Sequence, residues 1–295
     1  MALRVAYQGE PGAYSDAAAA ALFGDVGVQA LPCPTFAEVF DALAAGSADA
    51  AVVPVENSYA GDVGEVYDLL RRGGVRIVLE LDLPIRHCLL ALPGAAPGDI
   101  RVVRSHPQAL GQCREFLRRL GLRAEPAHDT AGAARRLAEE GDRQAAAIAS
   151  ERAARAYGLA VLLRDIQDAS DNVTRFHVLV PEDGPAEPPG PPTAPWRTAA
   201  GGARRKTSLL LATEHRPGAL YRCLGVFARW GVNLTKLTSR PYPGRAWEYM
   251  FFVDLEGAVE DPPVAGALEE LARHAAMVRV FGSYPWIDAS TEELA

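Results

Sequence analysis

Three short polar segments of the chain border apolar runs, which is where α/β proteins usually place their ligand sites. They are ENS at 56–58, SHPQ at 105–108 and TRF at 174–176. Hydroxyl and amide side chains, together with backbone N–H groups at a helix start, suit a carboxylate or another oxygen-rich ligand. The sequence therefore indicates a site that works mainly through hydrogen bonds.

Two of these segments also have a plain structural interpretation. The ENS segment is suited to cap the helix that follows it. Gln112 comes one helical turn after Gln108, so the two amides share a face that either grips a ligand or contacts solvent. His106 precedes a proline, and a lone histidine in that setting is more often structural than catalytic.

The TRF segment lies in an apolar run whose residues alternate between the two faces of a strand. Thr174 and Phe176 are expected on one face and Arg175 on the other. An arginine near a strand start can bind a substrate carboxylate with two hydrogen bonds, or it can form an ordinary surface ion pair. A threonine in a strand is commonly chosen for packing, so its position alone leaves both interpretations open.

Several classes of function are excluded by what the chain lacks. The segment GEPGAYS at 9–15 has neither GxGxxG spacing nor the lysine of a phosphate loop. No GxSxG, HExxH or CxxC pattern is present, so metal binding and nucleophilic catalysis are disfavoured. The net charge is −7 without a basic block, which argues against nucleic-acid partners. Without a secretory or membrane-spanning apolar run, and with four isolated cysteines, the sequence favours the cytoplasm and no membrane contact.

Apolar periodicity places strands and helices in alternation through the first part of the chain, which predicts α/β layers with mostly parallel strands. Ser105 is the expected N-cap of the helix that begins at Pro107. The expected strands are 3–7, 50–55, 75–81, 87–92, 100–103, 145–149 and 173–180, with helices at 36–43, 63–72, 107–120, 130–140 and 151–157 between them.

A proline-rich segment separates this part from a second unit. Residues 181–205 contain seven prolines and little apolar periodicity, as in a semi-extended linker. The order beyond it is strand, helix, strand, strand, helix, strand, which is the ferredoxin-like βαββαβ pattern. That pattern alone serves many functions.

Six motifs in this order, followed by the βαββαβ unit, resemble the prephenate dehydratase family along nearly the whole chain. The C-terminal part is similar to the ACT domain of that family, with RPGAL at 216–220 and NLTKLTSRP at 233–241. One such motif would be weak, whereas all of them in order make chance agreement a poor explanation. The six motifs are YQGEPGAYSDAAA (7–19), PVENSYAG (54–61), SHPQALGQC (105–113), DTAGAA (129–134), AAIAS (146–150) and NVTRF (172–176).

The resemblance implies an α/β fold with a two-lobed, periplasmic-binding-protein-like catalytic region and an active site in the cleft. A ferredoxin-like ACT regulatory domain would follow. The implied divisions are a catalytic region at 1–182, a linker at 183–205 and the ACT domain at 206–286, with lobe 1 at about 1–80 plus 170–182 and lobe 2 at about 81–168.

The implied activity is that of a monofunctional, cofactor-free hydro-lyase, which decarboxylates and dehydrates prephenate to phenylpyruvate in phenylalanine biosynthesis. The hydroxyl of Thr174 would hydrogen-bond the departing hydroxyl group. Arogenate dehydratase, which acts on the amino analogue of prephenate, is the alternative enzyme, and a non-catalytic amino-acid-sensing binding protein is the alternative outside enzymes. The other catalytic residues implied are Glu56, Asn57, Gln112 and Ser105, and the substrate-binding residues are Ser58, Arg175 and Phe176.

The ACT-like unit implies L-phenylalanine as an effector and a homodimer or homotetramer as the assembly. Its site is expected at the helix start formed by Gly218, Ala219 and Leu220, with Asn233 as a further contact. The usual ESRP of the family is TSRP here, with Thr238 in place of Glu, which leaves the details of effector binding open. The linker also predicts that a chain ending near 180 folds and keeps some turnover.

Overall fold

The computed structural model describes residues 2–200 and 204–289, which form two β-sheets flanked by helices. The elements alternate as the apolar periodicity predicts. The N-terminal elements are β1 (Leu3–Gln8), α1 (Tyr14–Phe23), β2 (Val28–Cys33), α2 (Phe36–Ala44), β3 (Ala50–Asn57), β4 (Gly61–Asp62), α3 (Gly64–Arg72) and β5 (Val75–Pro84). The middle elements are β6 (Cys88–Ala91), a 3₁₀ turn (Pro97–Asp99), β7 (Val102–Ser105), α4 (Pro107–Gln112), α5 (Arg114–Arg119), β8 (Arg123–Pro126), α6 (Thr130–Glu140), β9 (Ala145–Ala149), α7 (Glu151–Tyr157) and β10 (Ala160–Leu163). The C-terminal elements are β11 (Val173–Pro181), α8 (Pro195–Ala199), β12 (Arg205–Ala212), α9 (Ala219–Arg229), β13 (Leu234–Pro241), β14 (Tyr249–Glu256), α10 (Pro262–Leu271) and β15 (Met277–Asp288).

The chain forms one lobe, crosses to a second lobe and then returns to the first. The first lobe has the strand order β5-β11-β3-β1-β2, with β4 paired to the end of β3. The second has the order β10-β6-β9-β7-β8. The crossing falls between the end of β5 and the start of β6, and β11 returns antiparallel between β5 and β3. The cleft between the lobes is therefore bordered by the strand that carries the TRF segment.

The C-terminal βαββαβ unit continues the sheet of the first lobe. Its own strands have the order β13-β14-β12-β15, and the end of β15 pairs in parallel with β5 through residues 286–288. The aromatic ring of Tyr67 in α3 packs against Phe252 in β14, with centroids 4.8 Å apart. One apolar cluster contains Leu43 and Leu70 of the first lobe together with Phe281 of the C-terminal unit. The two units share a hydrophobic core, which argues against the expectation that a chain ending near 180 is self-sufficient.

The proline-rich segment packs on the first lobe rather than extending freely. Trp196 in α8 is buried in the same cluster as Leu22 and Phe23 of α1, together with Ala194. The single turn of helix at α8 begins at Pro195, whose fixed φ suits the first helical position. The prediction of a semi-extended linker is wrong for this part, because the sequence holds one aromatic residue that lobe 1 can bury.

The local assignment at the SHPQ segment also differs from the prediction. His106, not Ser105, caps α4: its side chain accepts a hydrogen bond from the backbone N–H of Gln108. Ser105 is the last residue of β7, and its buried hydroxyl donates to the carbonyl of Ile148, 2.6 Å away. Pro107 occupies the first turn of the helix as expected.

Candidate active site

A cavity of about 430 Å³ lies between the two lobes and is the centre of the candidate site. Both lobes contribute, because the lining comes from strand ends of the first lobe and helix starts of the second. Ligand sites of α/β proteins are usually found at such strand and helix ends. The polar lining residues are Gln8, Tyr14, Ser15, Asn57, Asp62, His87, His106, Gln108, Gln112, Asp129, Thr130 and Thr174.

Thr174 and Asn57 face the cavity from two neighbouring strands. They are directly opposite each other in the antiparallel pair β11–β3, so their side chains share one face of the sheet. The Nδ2 atom of Asn57 is 2.9 Å from Oγ1 of Thr174 and 2.8 Å from Oδ1 of Asn172. The ENS and TRF segments therefore meet through a hydrogen bond.

The orientation of the Asn57 amide decides what the Thr174 hydroxyl can do. Oδ1 of Asn57 accepts hydrogen bonds from the backbone N–H groups of Tyr59 and Ala60, at 3.1 and 3.0 Å. The Nδ2 group must then be the side that contacts Thr174, where it donates to Oγ1. Because that oxygen already accepts, the O–H of Thr174 is left to donate to a molecule in the cavity.

A second hydrogen-bonded chain crosses the cavity wall through His87. The phenol of Tyr14 lies 2.6 Å from Nδ1 of His87, and Oε1 of Gln112 lies 2.7 Å from Nε2. An amide oxygen only accepts, so Nε2 carries a proton in this arrangement and the NH₂ group of Gln112 is free to donate. Burial lowers the pKa of His87 and outweighs the opposite effect of the hydrogen bond that His87 donates to Gln112, which favours the neutral imidazole.

The cavity holds no cationic side chain among its described lining residues. The lining includes two acidic residues, Asp129 and Asp62, and the carboxylates of both already have partners. Asp129 accepts a hydrogen bond from the N–H of Gly132 and so caps α6, and Asp62 binds Lys236 and Thr238 of the C-terminal unit. The first turn of α1 opens onto the cavity, and its N-cap residue is an alanine without a side-chain acceptor. Backbone N–H groups of this turn, with hydroxyl and amide donors, are the groups suited to bind an anion.

Glu56 and Arg175 lie on the opposite face of the same two strands. They also form a cross-strand pair, with NH1 of Arg175 3.0 Å from Oε2 of Glu56. The Arg175 guanidinium further contacts Glu80 and Asp82 at 3.2 and 3.1 Å. Burial would lower the pKa of Arg175, but these carboxylates hold it above its ordinary value. Arg175 is thus held by three carboxylates of the first lobe and points away from the cavity.

The described residues contain no cluster of three His, Cys, Asp or Glu side chains that could hold a metal ion. Across 2–200 and 204–289, no helix has the length and apolar character to cross a bilayer. The four cysteines are free, and only Cys33 is partly exposed. The chemistry of the cavity accordingly rests on hydroxyl, amide, imidazole and backbone groups.

Comparison with known proteins assigns this cleft to a family. A family model described as prephenate dehydratase matches residues 5–184, which include every lining residue of the cavity. The chain belongs to the prephenate dehydratase family. The enzyme is therefore a dehydratase of the prephenate and arogenate type, as the six motifs predicted.

Relatives and solved structures agree with that assignment over nearly the whole chain. Arogenate dehydratase/prephenate dehydratase 2 of Arabidopsis thaliana, a chloroplastic protein, is 44% identical and is aligned over 96% of this chain and 73% of its own length. A bifunctional N-acyl-homoserine lactone acylase/prephenate dehydratase of Komagataeibacter europaeus is 39% identical over 95% of both chains. The structure of an Arthrobacter aurescens prephenate dehydratase in complex with L-Phe has a TM-score of 0.82 and 33% identity, with coverage of 96% and 90%. The two-lobed α/β fold expected from the sequence is confirmed.

The cavity brings together only part of the site expected from sequence. Thr174, Asn57, Gln112 and Phe176 line it. Ser105 lies outside it with its hydroxyl bound to a backbone carbonyl. The other expected contacts outside the lining are Ser58, which bonds the backbone at residues 171 and 173, and the reverse-face pair Glu56 and Arg175.

In this structure Ser58, Arg175, Glu56 and Ser105 lie outside the cavity lining, which differs from the substrate-binding roles expected of Ser58 and Arg175 and from the catalytic roles expected of Glu56 and Ser105. For Glu56 and Arg175 the cause is strand alternation, because each neighbours a cavity-facing residue and therefore points the other way. Sequence reasoning missed Tyr14 and His87 as cavity residues. Tyr14 lies in the YQGEPGAYS motif, which could have indicated it as a site residue. His87 lies outside all six motifs, so no sequence pattern indicated it.

A second cavity, of about 650 Å³, lies in the C-terminal unit at the start of α9. It includes Gly218, Ala219 and Leu220, the three residues expected at the effector site. Gly218 has φ of 75°, a backbone conformation that favours glycine, and it brings the first turn of α9 to the cavity. Asn233 is outside the lining residues, and its carbonyl accepts from the N–H of Glu256.

Proposed function

We propose that this enzyme converts prephenate to phenylpyruvate. Prephenate carries a carboxylate and a hydroxyl on opposite carbons of its ring. Breaking the C–C bond to the carboxylate releases CO₂, and its electron pair enters the ring as the C–O bond breaks. The departing hydroxide gains one proton and leaves as water, while the ring becomes aromatic. No redox cofactor enters this balance.

The observation that carries the proposal is the hydrogen-bond direction between Asn57 and Thr174. Asn57 donates to Oγ1 of Thr174, which directs the threonine O–H away from Asn57 and toward the cavity. A donor held in this way favours the oxygen on which negative charge develops, because little reorganisation is needed during the reaction. The hydroxyl of threonine is too weak an acid to act alone, so it serves as a hydrogen-bond donor or as a relay for a proton.

The charges around the cavity support prephenate over arogenate as the preferred substrate. Arogenate has an ammonium group where prephenate has a keto oxygen, and an ammonium group is best stabilised by a free carboxylate. Both carboxylates of the lining, Asp62 and Asp129, already have partners. The keto group needs only a donor, and Gln112 offers its NH₂ group. Arogenate is the second candidate, since several similar plant enzymes are named arogenate dehydratases.

Measurement of kcat/KM for both substrates on the purified enzyme tests this proposal. Formation of phenylpyruvate and of phenylalanine is followed separately with each substrate. We expect a higher kcat/KM for prephenate. A higher kcat/KM for arogenate would show that arogenate is the preferred substrate. If neither substrate is turned over, the proposed function is refuted.

We further propose L-phenylalanine as an effector bound at the start of α9. The cavity there combines N–H groups of the first helical turn with the aromatic residues Tyr221, Trp247 and Tyr249. A helix N-terminus suits the carboxylate of an amino acid, and the aromatic residues suit its ring. Isothermal titration with L-phenylalanine, compared with D-phenylalanine and L-alanine, tests the site. Failure to bind at millimolar concentration would exclude it.

The aromatic residues of this second cavity also support a homodimer or homotetramer. Trp247 and Tyr221 are 83% and 79% exposed, which is unusual for large aromatic side chains unless another surface covers them. A second copy placed against this face would bury them and close the effector cavity. Analytical ultracentrifugation tests the assembly, and a Trp247→Glu variant should weaken it. A cytoplasmic location completes the proposal, supported by the four free cysteines.

A further inference from the structure

A chain of three side chains, Tyr14, His87 and Gln112, joins the two lobes at the wall of the active-site cavity. Tyr14 begins α1 in the first lobe, His87 directly precedes β6, and Gln112 ends α4 in the second lobe. His87 is buried, and its backbone is held at both polar groups. Its N–H donates to Oε1 of Gln167 at 2.8 Å, and its carbonyl accepts from the N–H of Ile166 at 3.0 Å. The imidazole is therefore held between its two neighbours.

The length of the bond between Tyr14 and His87 indicates which of the two groups donates. The phenol oxygen lies 2.6 Å from Nδ1. An N–H donor and an oxygen are usually about 2.7–3.2 Å apart, and hydroxyl donors form shorter bonds. Burial raises the pKa of Tyr14 well above its ordinary value, so the phenol keeps its proton. The phenol therefore donates to Nδ1, although the carbonyl of Arg86 is a second acceptor 3.0 Å away.

The tautomer of His87 then decides the orientation of the Gln112 amide. A neutral imidazole that accepts at Nδ1 carries its proton on Nε2, and this N–H needs an acceptor, which is Oε1 of Gln112 at 2.7 Å. The NH₂ group of Gln112 has no hydrogen-bond partner among residues 2–200 and 204–289, yet it is not sealed from solvent. Since Gln112 lines the cavity, this group is a free donor there. The opposite tautomer would bind the NH₂ group and turn Oε1 toward the cavity.

We propose that Tyr14 and His87 are positioning residues, which act through Gln112 by turning its NH₂ group toward an oxygen of the substrate. The inference rests on the proposed function, because prephenate presents carboxylate and keto oxygens as acceptors. A hydrogen bond to an ionised acceptor is stronger than one between neutral groups. No cationic side chain is among the described lining residues, so binding of this anion depends on neutral donors in the correct orientation.

Replacement of His87 by asparagine or by glutamine tests this role with two amides of the same chemistry. The longer glutamine can place an N–H near the former Nε2 position, whereas asparagine reaches only the position of Nδ1. We expect His87→Asn to raise KM for prephenate about tenfold, which corresponds to about 1.4 kcal/mol, and His87→Gln to stay within about threefold. For both variants kcat should change less than about threefold, because the bound substrate already makes the contact. Equal losses in the two variants would indicate a merely structural role and overturn the proposal.

The Gln112→Ala variant removes the group through which His87 is proposed to act. This substitution should raise KM about tenfold, and addition of His87→Asn should then change KM by less than about twofold. Independent effects would instead multiply to about a hundredfold in the double variant. A product of that size, or an unchanged KM in Gln112→Ala, would overturn the proposal.

The Tyr14→Phe variant keeps the ring but removes the donor to Nδ1, so it should raise KM about threefold to tenfold. Tyr67→Phe is its matched control, because Tyr67 is a buried tyrosine outside the lining whose hydroxyl has no partner among the described residues. It should leave KM within about twofold. An unchanged KM in Tyr14→Phe would refute the inference, and this test does not require the His87 variants to fold.

Nitrogen NMR of the imidazole groups reads the tautomer directly and needs no substrate. The signals of His87 are assigned by their absence in His87→Gln. We expect a protonated Nε2 and an unprotonated Nδ1 in the wild type, and a mixture of tautomers in Tyr14→Phe. A wild-type His87 protonated on Nδ1 alone would overturn the inference even if prephenate is turned over. Absence of prephenate turnover with the expected tautomer would instead refute the proposed function.

Discussion

Replacement of Thr174 by valine tests the proposed catalytic hydroxyl with almost no change in volume. The variant loses the donor that faces the cavity. Groups of this kind, positioned for charge that develops in the transition state, contribute about 2.7–4 kcal/mol, so kcat should fall by roughly 10²–10³-fold. Because the interaction strengthens mainly in the transition state, KM should change little. Thr174→Ser keeps the hydroxyl and should retain most of the activity.

The structure also gives the expected cost in stability. Nδ2 of Asn57 loses Thr174 as an acceptor but keeps Oδ1 of Asn172 and the carbonyl of Val173. The net cost of one such hydrogen bond is about 0.5–1.5 kcal/mol in the free energy of unfolding. For a protein of this size that corresponds to a decrease in Tm of about 1–6 °C. Most of the loss of activity would therefore be chemical and not a consequence of unfolding.

The assay is steady-state turnover of prephenate, together with thermal unfolding of each variant. Thr207→Val is a matched control, because Thr207 is a buried threonine of β12 that donates to the carbonyl of Gly257, 2.8 Å away. It should lose similar stability and keep its kcat. A Thr174→Val variant with kcat within fivefold of wild type would refute the catalytic role. The catalytic role would also be refuted if the Thr174→Val variant were more active than Thr174→Ser, because that order is expected when the methyl group matters for packing.

Three other perturbations test the lobes, the shared core and the buried imidazole. Gly12→Ala places a Cβ atom 2.4 Å from Cα of Ala153 in the second lobe, so kcat/KM should fall at least tenfold. Gly27 is the control, because it has a similar positive φ but a Cβ atom there would have no neighbour within 4 Å. Gly27→Ala should keep kcat/KM and lose only stability. A chain that ends after Pro181 exposes one edge of β5 and the part of the shared cluster that the C-terminal unit covers. Size-exclusion chromatography and circular dichroism should therefore show aggregated or unfolded protein, and a folded, active monomer would contradict this. Burial lowers the pKa of His87, so as the pH decreases the unfolded chain binds this proton before the folded chain does. The free energy of unfolding should therefore decrease when the pH is lowered past about 6.5. Unfolding in denaturant should show a smaller pH dependence for His87→Gln, and an unchanged dependence would exclude His87 as its source.

The sequence predicted most of the catalytic fold because its buried strands have strong apolar runs. β3, β5, β9 and β11 were all expected, and their residues are largely buried. The strands that were missed are β2, β4, β8 and β10, which lie at the sheet edges or are partly exposed. An edge strand needs little apolar periodicity, since one side faces solvent, and β2 also contains a proline.

The candidate site was predicted less completely than the fold, for a geometric reason. Thr174 and Asn57 were recognised through their motifs, and alternation placed Thr174 and Phe176 on one face. Alternation also placed Arg175 on the other face of the strand, so the same pattern already argued against a contact between Arg175 and the substrate. His87 comes from a different lobe and reaches Tyr14 only after the chain has crossed the cleft. Contacts between residues 73 positions apart have no local sequence pattern.

The two family motifs ENS and TRF combine two tasks within single strands. Asn57 and Thr174 form one cross-strand pair, which faces the cavity, and Glu56 and Arg175 form the adjacent pair, which faces the C-terminal unit. A displacement of the second pair must move the first, because adjacent residues share one rigid backbone. The C-terminal unit therefore has a short mechanical route to the Thr174 hydroxyl, through Lys236 and Glu56. If L-phenylalanine acts on this enzyme, its effect should be lost in Lys236→Met and preserved in Lys206→Met.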